Sequence, residues 1–189
     1  MKKLRKGFTL IELLVVISVL GAIAAMMSIS SGEALTSAKA GNIVNNLRNF
    51  ATAANEYYFD NMSKLYASGA TIDLAEIKYC MNKGISDTTE NPESKLDSYY
   101  VIAAGTTGVS VAEDTWYVGY KFPASGAGAS EVLAVKAKLA GRAKNIGLYG
   151  STGEAAAPTI AENATDPATY TNEAVIWMKA REKSRRTSS

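Results

Sequence analysis

From Phe8 to Ile29 the chain runs for 22 residues in which nearly every side chain is apolar, small or a hydroxyl. As a helix that run spans roughly 33 Å, against about 30 Å for the hydrocarbon core of a bilayer. Overall hydrophobic content is an ordinary 47%, so the run is a local concentration. The rest of the chain has the composition of a moderately polar globular domain. The first seven residues carry Lys2, Lys3, Arg5 and Lys6 and no acid. A positive flank before an apolar helix stays in the cytoplasm, which directs the C-terminal domain outward. With those four cations set aside, the 18 acidic residues slightly outnumber the remaining bases. That balance lacks the basic surface needed for whole-domain nucleic-acid binding.

Charge and length leave two readings of the run open. One is a single-pass anchor. The other is a secretory signal, with Ala22-Ile23-Ala24 as a small-residue cleavage triplet. Glu12 fits neither. A carboxylate inside a transmembrane helix costs about 2.5–3.5 kcal/mol on insertion scales, and a buried charge persists where it has a partner. The nearest cations, Arg5 and Lys6, lie one to two turns back. A cut between Gly7 and Phe8 would free an α-amino group four residues before Glu12, on the same helix face. That amine can meet Glu12 within one chain or across to a neighbour. Between chains it does so at a single stagger, which makes the charge a registration device.

The residues Lys6-Gly7-Phe8-Thr9-Leu10-Ile11-Glu12, followed by the apolar run, resemble the leader and N-terminus of type IV pilins and pseudopilins. The resemblance covers roughly residues 1 to 30. It implies a prepilin peptidase that cuts after Gly7 and N-methylates Phe8, with Glu12 directing subunit addition. It implies as partners other pilin subunits, the same or different, inner-membrane assembly machinery, and membrane lipid before assembly. Gly21 stands where many pilins have a helix-loosening glycine. Many also have a proline near the end of the run. Here Ile29-Ser30-Ser31-Gly32 replaces it, and loosening falls to Gly32 and the serines.

Beyond Gly32 the pattern turns amphipathic. Ala34, Ala38, Ile43, Leu47, Phe50, Ala54, Tyr57 or Tyr58, and Met62 recur at helical spacing. One helix from Phe8 to Met62 or Lys64 would be roughly 80 Å long, too long for a small domain to cover on one side. A turn at Ala67-Ser68-Gly69 ends it. Asp73 caps a short helix with Leu74, Ile77 and Met81 inward, Gly84 at its end and Cys80 beside it as a small buried hydrophobe. Residues 86–97 are a polar loop around Asn91-Pro92. Strand signals come next at Ser98–Ala103, Val109–Val111 and Thr115–Phe122, and an antiparallel meander over the helix suits them. Glu131–Ala143 fits a helix and, less well, an alternating strand; its alanines and lysines favour helix. Residues 147–171 are expected to be an exposed loop, Glu173–Lys179 a closing strand, and Arg181–Ser189 a disordered tail.

No catalytic set is present: the chain has no histidine, one cysteine and no phosphate-binding Gly-rich loop. With Cys80 alone, no intrachain disulfide forms. The resemblance brings in the calcium loop of major pseudopilins. Glu162 and Asp166 sit in a comparable stretch without its motif, so no metal or cofactor is assigned. The cluster Arg181-Glu182-Lys183-Ser184-Arg185-Arg186 is the basic cluster beyond the leader. A solubilising end is preferred there over nucleic acid. Asn61-Met62-Ser63 and Asn163-Ala164-Thr165 match a glycosylation pattern by chance.

The expected fold is α+β, the pilin fold: a long N-terminal helix, half of it transmembrane, against a head with an antiparallel sheet. The expected segments are a leader at 1–7, an apolar assembly helix at 8–30, its amphipathic continuation at 31–66, a head at 67–180 and a tail at 181–189. The expected role is a structural, non-enzymatic filament subunit, made as an inner-membrane precursor with its head outside the cytoplasm. A type IV pilus is preferred to a type II secretion pseudopilus. A membrane-tethered binding protein and a secreted enzyme are the rivals from other classes.

Overall fold

The computed structural model describes residues 8–79, 96–104, 110–123, 129–151 and 175–182. Gly7, Cys80, Met81, Gly84, the Asn91-Pro92 loop, Val109, Glu162, Asn163, Asp166 and residues 183–189 lie outside them. Helix α1 runs from Leu10 to Asp60, 51 residues without interruption through Gly21 and Gly32. Its length is roughly 77 Å. From Phe8 to Met27 every side chain is exposed, and this half is long and apolar enough to cross a membrane. Its Ser18 hydroxyl is satisfied internally, as lipid requires: Oγ donates to the Leu14 carbonyl, 2.8 Å.

The second half of α1 is the spine of the head. Ala40, Ile43, Val44, Leu47, Phe50, Ala53, Ala54, Tyr57 and Tyr58 are buried, a helical stripe facing one way. The stripe starts later than the spacing suggested, because Ala34 and Ala38 are exposed. The head covers α1 fully only from residue 40, and periodicity alone cannot say where a cover begins. At the other end α1 stops at Asn61, and α2 (Met62–Leu65) comes next. That break turns Met62 outward and puts Leu65, 1% exposed, into the core. Gly69, at φ 77°, makes the expected turn. Asp73 caps α3 (Leu74–Tyr79), its Oδ1 accepting from the Ala75 and Glu76 amides.

Four strands complete the head: β1 (Tyr99–Ala104), β2 (Thr115–Lys121), β3 (Leu148–Ser151) and β4 (Val175–Arg181). All pairings are antiparallel, in the order β1-β2-β4-β3. The sheet is therefore not a simple meander, since β4 inserts between β2 and β3. Between β2 and β3 the chain forms α4 (Ala129–Ala140) and α5 (Ala143–Ile146), the latter closed by Gly147 at φ 66°. Three expectations are corrected here. Val111 lies in a 3-10 turn, Val111–Glu113, rather than a strand. Residues 148–151 form β3 rather than loop. Arg181 ends β4 rather than opening a tail.

Alternation sorts the sheet into two faces. Tyr99, Val101, Trp116, Val118, Tyr120, Leu148, Ile176 and Met178 join the α1 stripe. Tyr117, Val175 and Trp177 pack on the other face with Tyr100, Ile102 and Tyr149. The β2–β4 register shifts between Trp116, opposite Arg181, and Tyr117, opposite Lys179. Ala180 is the extra residue of this bulge. Its freed carbonyl accepts from Asn55 Nδ2 of α1, 3.0 Å, so a helix amide satisfies the break in the ladder.

Gly119 pairs with Trp177 across that ladder. A Cβ on Gly119 would overlap the Trp177 ring at Cε3 and Cζ3, and Trp177 is fully buried. Gly119→Ala is therefore expected to destabilise the head by about 1–3 kcal/mol, the usual range for overpacking. Thermal unfolding of the detergent-solubilised chain reads it, at roughly 2–4 °C per kcal/mol. An unchanged Tm would mean that the indole can swing aside.

Candidate processing and assembly site

Thr9 is the N-cap of α1, with extended backbone at φ −78°, ψ 152°. Its hydroxyl accepts from the Glu12 amide at 3.3 Å. Glu12 Oε2 accepts in return from the Thr9 amide and from the Thr9 hydroxyl, each at 2.8 Å. This is a reciprocal capping box. It joins the two helix-start donors to the one acid of the apolar run, where the helix dipole also favours negative charge.

The box changes the account of Glu12. The sequence suggested that its carboxylate lacks a partner until a free amine arrives. The structure supplies Thr9, in the same chain and before any cut. The signal is present as Thr9-Leu10-Ile11-Glu12, a hydroxyl residue with an acid three places later. The box orients the carboxylate and satisfies Oε2. It leaves the negative charge in place, and Glu12 Oε1 accepts no hydrogen bond among the described residues. Phe8, 87% exposed, precedes the cap. Phe8, Ile11, Glu12, Val15 and Val16 line an open depression of about 380 Å³. Phe8 and Glu12 are thus brought together on one face, with one carboxylate oxygen available. Gly7, the expected last leader residue, lies outside the described residues.

Residues 2–28 match the prokaryotic N-terminal methylation motif family. This is the prepilin signature of type IV pilins and pseudopilins. The match supports a pilin-like or pseudopilin precursor, and the long apolar helix with a C-terminal four-stranded antiparallel sheet is a pilin-like α+β arrangement. The motif implies processing by a prepilin peptidase and assembly into pilin polymers. The match ends within α1 and does not reach the head. No curated protein and no solved structure matches the chain.

The head of this prepilin-like chain shows no group of three His, Cys, Asp or Glu side chains that could hold a metal ion, among the described residues. Arg181 is a charge set against the spine. The guanidinium lies over the Tyr58 ring at 3.4 Å and donates through Nη1 to the Ala112 carbonyl at 2.7 Å. Burial and a hydrogen bond with Tyr66 raise the Tyr58 pKa above its ordinary value, so Arg181 meets a neutral ring face. This cluster is structural. A second basic stretch is hidden in the sequence, where its lysines count only as helix formers: Lys136, Lys138, Arg142 and Lys144.

Proposed function

We propose that this precursor is cut after Gly7, methylated at Phe8 and polymerised through α1 into a type IV pilus. The observation that carries the reading is one continuous helix with two unlike halves. Residues 40–58 are buried under the head along one stripe, while every side chain from Phe8 to Met27 is exposed. An apolar surface of that length requires lipid before assembly and other copies of the helix afterwards. Glu12, already oriented by Thr9, presents its open Oε1 to the amine that cleavage creates at Phe8. Pairing with a neighbour's amine removes a charge from lipid and sets the stagger between chains. A type II secretion pseudopilus uses the same N-terminus, and filament length by electron microscopy separates the two. A membrane-anchored binding protein would keep its leader.

Mass spectrometry of the protein from a host with prepilin peptidase tests the processing step. The expected mature N-terminus is N-methyl-Phe8. An uncut chain would leave only an anchor, and a start at Ala25 would mean ordinary secretion.

A further inference from the structure

Helix α4 reaches down to the level at which α1 leaves its apolar run. A groove of about 610 Å³ between them is lined by Gly32, Glu33 and Thr36 of α1 and by Ala134, Ala137 and Lys138 of α4. The Lys39 Nζ–Glu131 Oε1 ion pair, 2.6 Å, fastens the first turn of α4 one turn higher on α1. The helix thus descends from the level of Lys39 toward Gly32. Gly32 is three residues past Ile29, about 5 Å along the axis. The headgroup layer on each side of the hydrocarbon is itself roughly 5–8 Å deep. If Ile29 marks the hydrocarbon edge, the groove end of α4 lies among headgroups.

Past its first turn α4 and the α5 that follows carry charge of one sign, and the acid facing them across the groove is Glu33 of α1. Between Glu131 and Glu154 there is no acid, and Lys136, Lys138, Arg142 and Lys144 fall within nine residues. Lys136 lies over the Phe122 ring, 4.8 Å from its centroid. Arg142 and Lys144 are exposed, and Lys138 is half-buried on the groove. Among the described residues none of these last three is in an ion pair. Leu133 of α4 and Leu35 of α1, on the two helices that form the groove, are each about half exposed. Cations interleaved with exposed apolar side chains at the edge of a membrane span suit a lipid interface.

We infer that the α4–α5 face is a docking surface for anionic lipid headgroups of the leaflet on the head's side. Lys138, Arg142 and Lys144 meet the phosphates, and the contact holds the head at a fixed depth and rotation before assembly. It must be released when the subunit leaves the membrane. The inference rests on residues 8–29 lying in a bilayer, and not on filament formation.

Hydrogen exchange of the full chain in lipid nanodiscs tests it. Peptides covering 129–146 are compared between phosphatidylcholine alone and phosphatidylcholine mixed with phosphatidylglycerol. Exchange is expected to slow by about fivefold or more in the anionic discs, one cation's attraction to such a surface. The slowing should vanish in about 1 M salt, where the screening length is about 3 Å. It should also vanish in K138E/R142E/K144E, with protection of residues 40–60 unchanged as the control for folding. Equal exchange in both lipids would overturn the proposal. Protection that tracks protein density instead of lipid charge would overturn it too, by placing a second copy in the groove. A chain that does not enter discs at all would sink the bilayer reading itself.

Discussion

Glu12→Ala is expected to abolish filament incorporation while leaving the chain in the membrane and cleaved after Gly7. Two effects of the substitution act in the same direction. Removing the carboxylate relieves the monomer of a charge that costs about 2.5–3.5 kcal/mol in lipid, so residence in the membrane becomes more favourable. On the proposed pairing it also leaves a neighbour's Phe8 amine without its partner, and breaking a buried pair costs about 3–5 kcal/mol, a loss of more than a hundredfold in association. Alanine further removes the capping box with Thr9, in which Glu12 Oε2 holds two hydrogen bonds, and that alone frays the first turn. Glu12→Gln separates these causes. Glutamine retains the box but carries no charge. Sheared-filament yield, read beside the N-terminal mass, should be as low for Glu12→Gln as for Glu12→Ala. Parental yield from Glu12→Gln would mean that the cap, and not the charge, governs addition.

The two halves of α1 are legible from the sequence for different reasons. The apolar half is a composition signal, and lipid-facing residues need nothing from the rest of the chain to be recognised. The amphipathic half is a period signal, and it locates Ile43, Leu47, Phe50 and Ala54 correctly. It misplaces both ends, because Ala34, Ala38 and Met62 share the period but not the cover. The site is half legible. Glu12 stands out as a charge out of place, and a charge directs attention to other charges as its partners. Thr9 is neutral, and its role is evident only once Glu12 is seen as the third residue of a helix. In the head, local propensity fails where long-range pairing decides. Val111 is β-branched but sits in the turn that feeds β2. Leu148–Ser151 is four residues with a glycine, too short to signal a strand, and becomes one by pairing with β4. Nor does any local pattern place β4 between β2 and β3. Arg181 reads as tail because basic chain ends usually are. Its strand position comes from the Ala180 bulge, which no local pattern announces.

Trp116→Ala is expected to unfold the head without touching the N-terminal chemistry. Trp116 is fully buried and stands edge-on to Tyr58, 5.6 Å between centroids, with Tyr57 at 6.2 Å. Its indole N–H donates to the Val111 carbonyl, 2.8 Å, which pins the 3-10 turn. The next carbonyl in that turn, of Ala112, receives Arg181, and Arg181 covers Tyr58 in turn. One side chain thus closes a circuit joining the end of α1, the turn before β2 and the end of β4. Truncating a buried tryptophan costs about 3–5 kcal/mol, against a total of about 5–15 kcal/mol for a domain. The melting temperature of the detergent-solubilised chain should fall by at least about 6 °C. Trp116→Phe keeps one ring against Tyr58 and loses the N–H and the second ring, while the Val111 carbonyl still accepts from the Asp114 amide, 3.4 Å, so its cost should stay near 1–3 kcal/mol, below that of Trp116→Ala. A Trp116→Ala chain that melts with the parent would show that the circuit is not what holds β4 to the spine. Leader cleavage is the internal control. Phe8 and Glu12 lie roughly thirteen helical turns from Trp116's contacts on α1, in a half of the helix that packs against nothing among the described residues, so the N-terminal mass should be that of the parent even when the head has lost its near-UV signal.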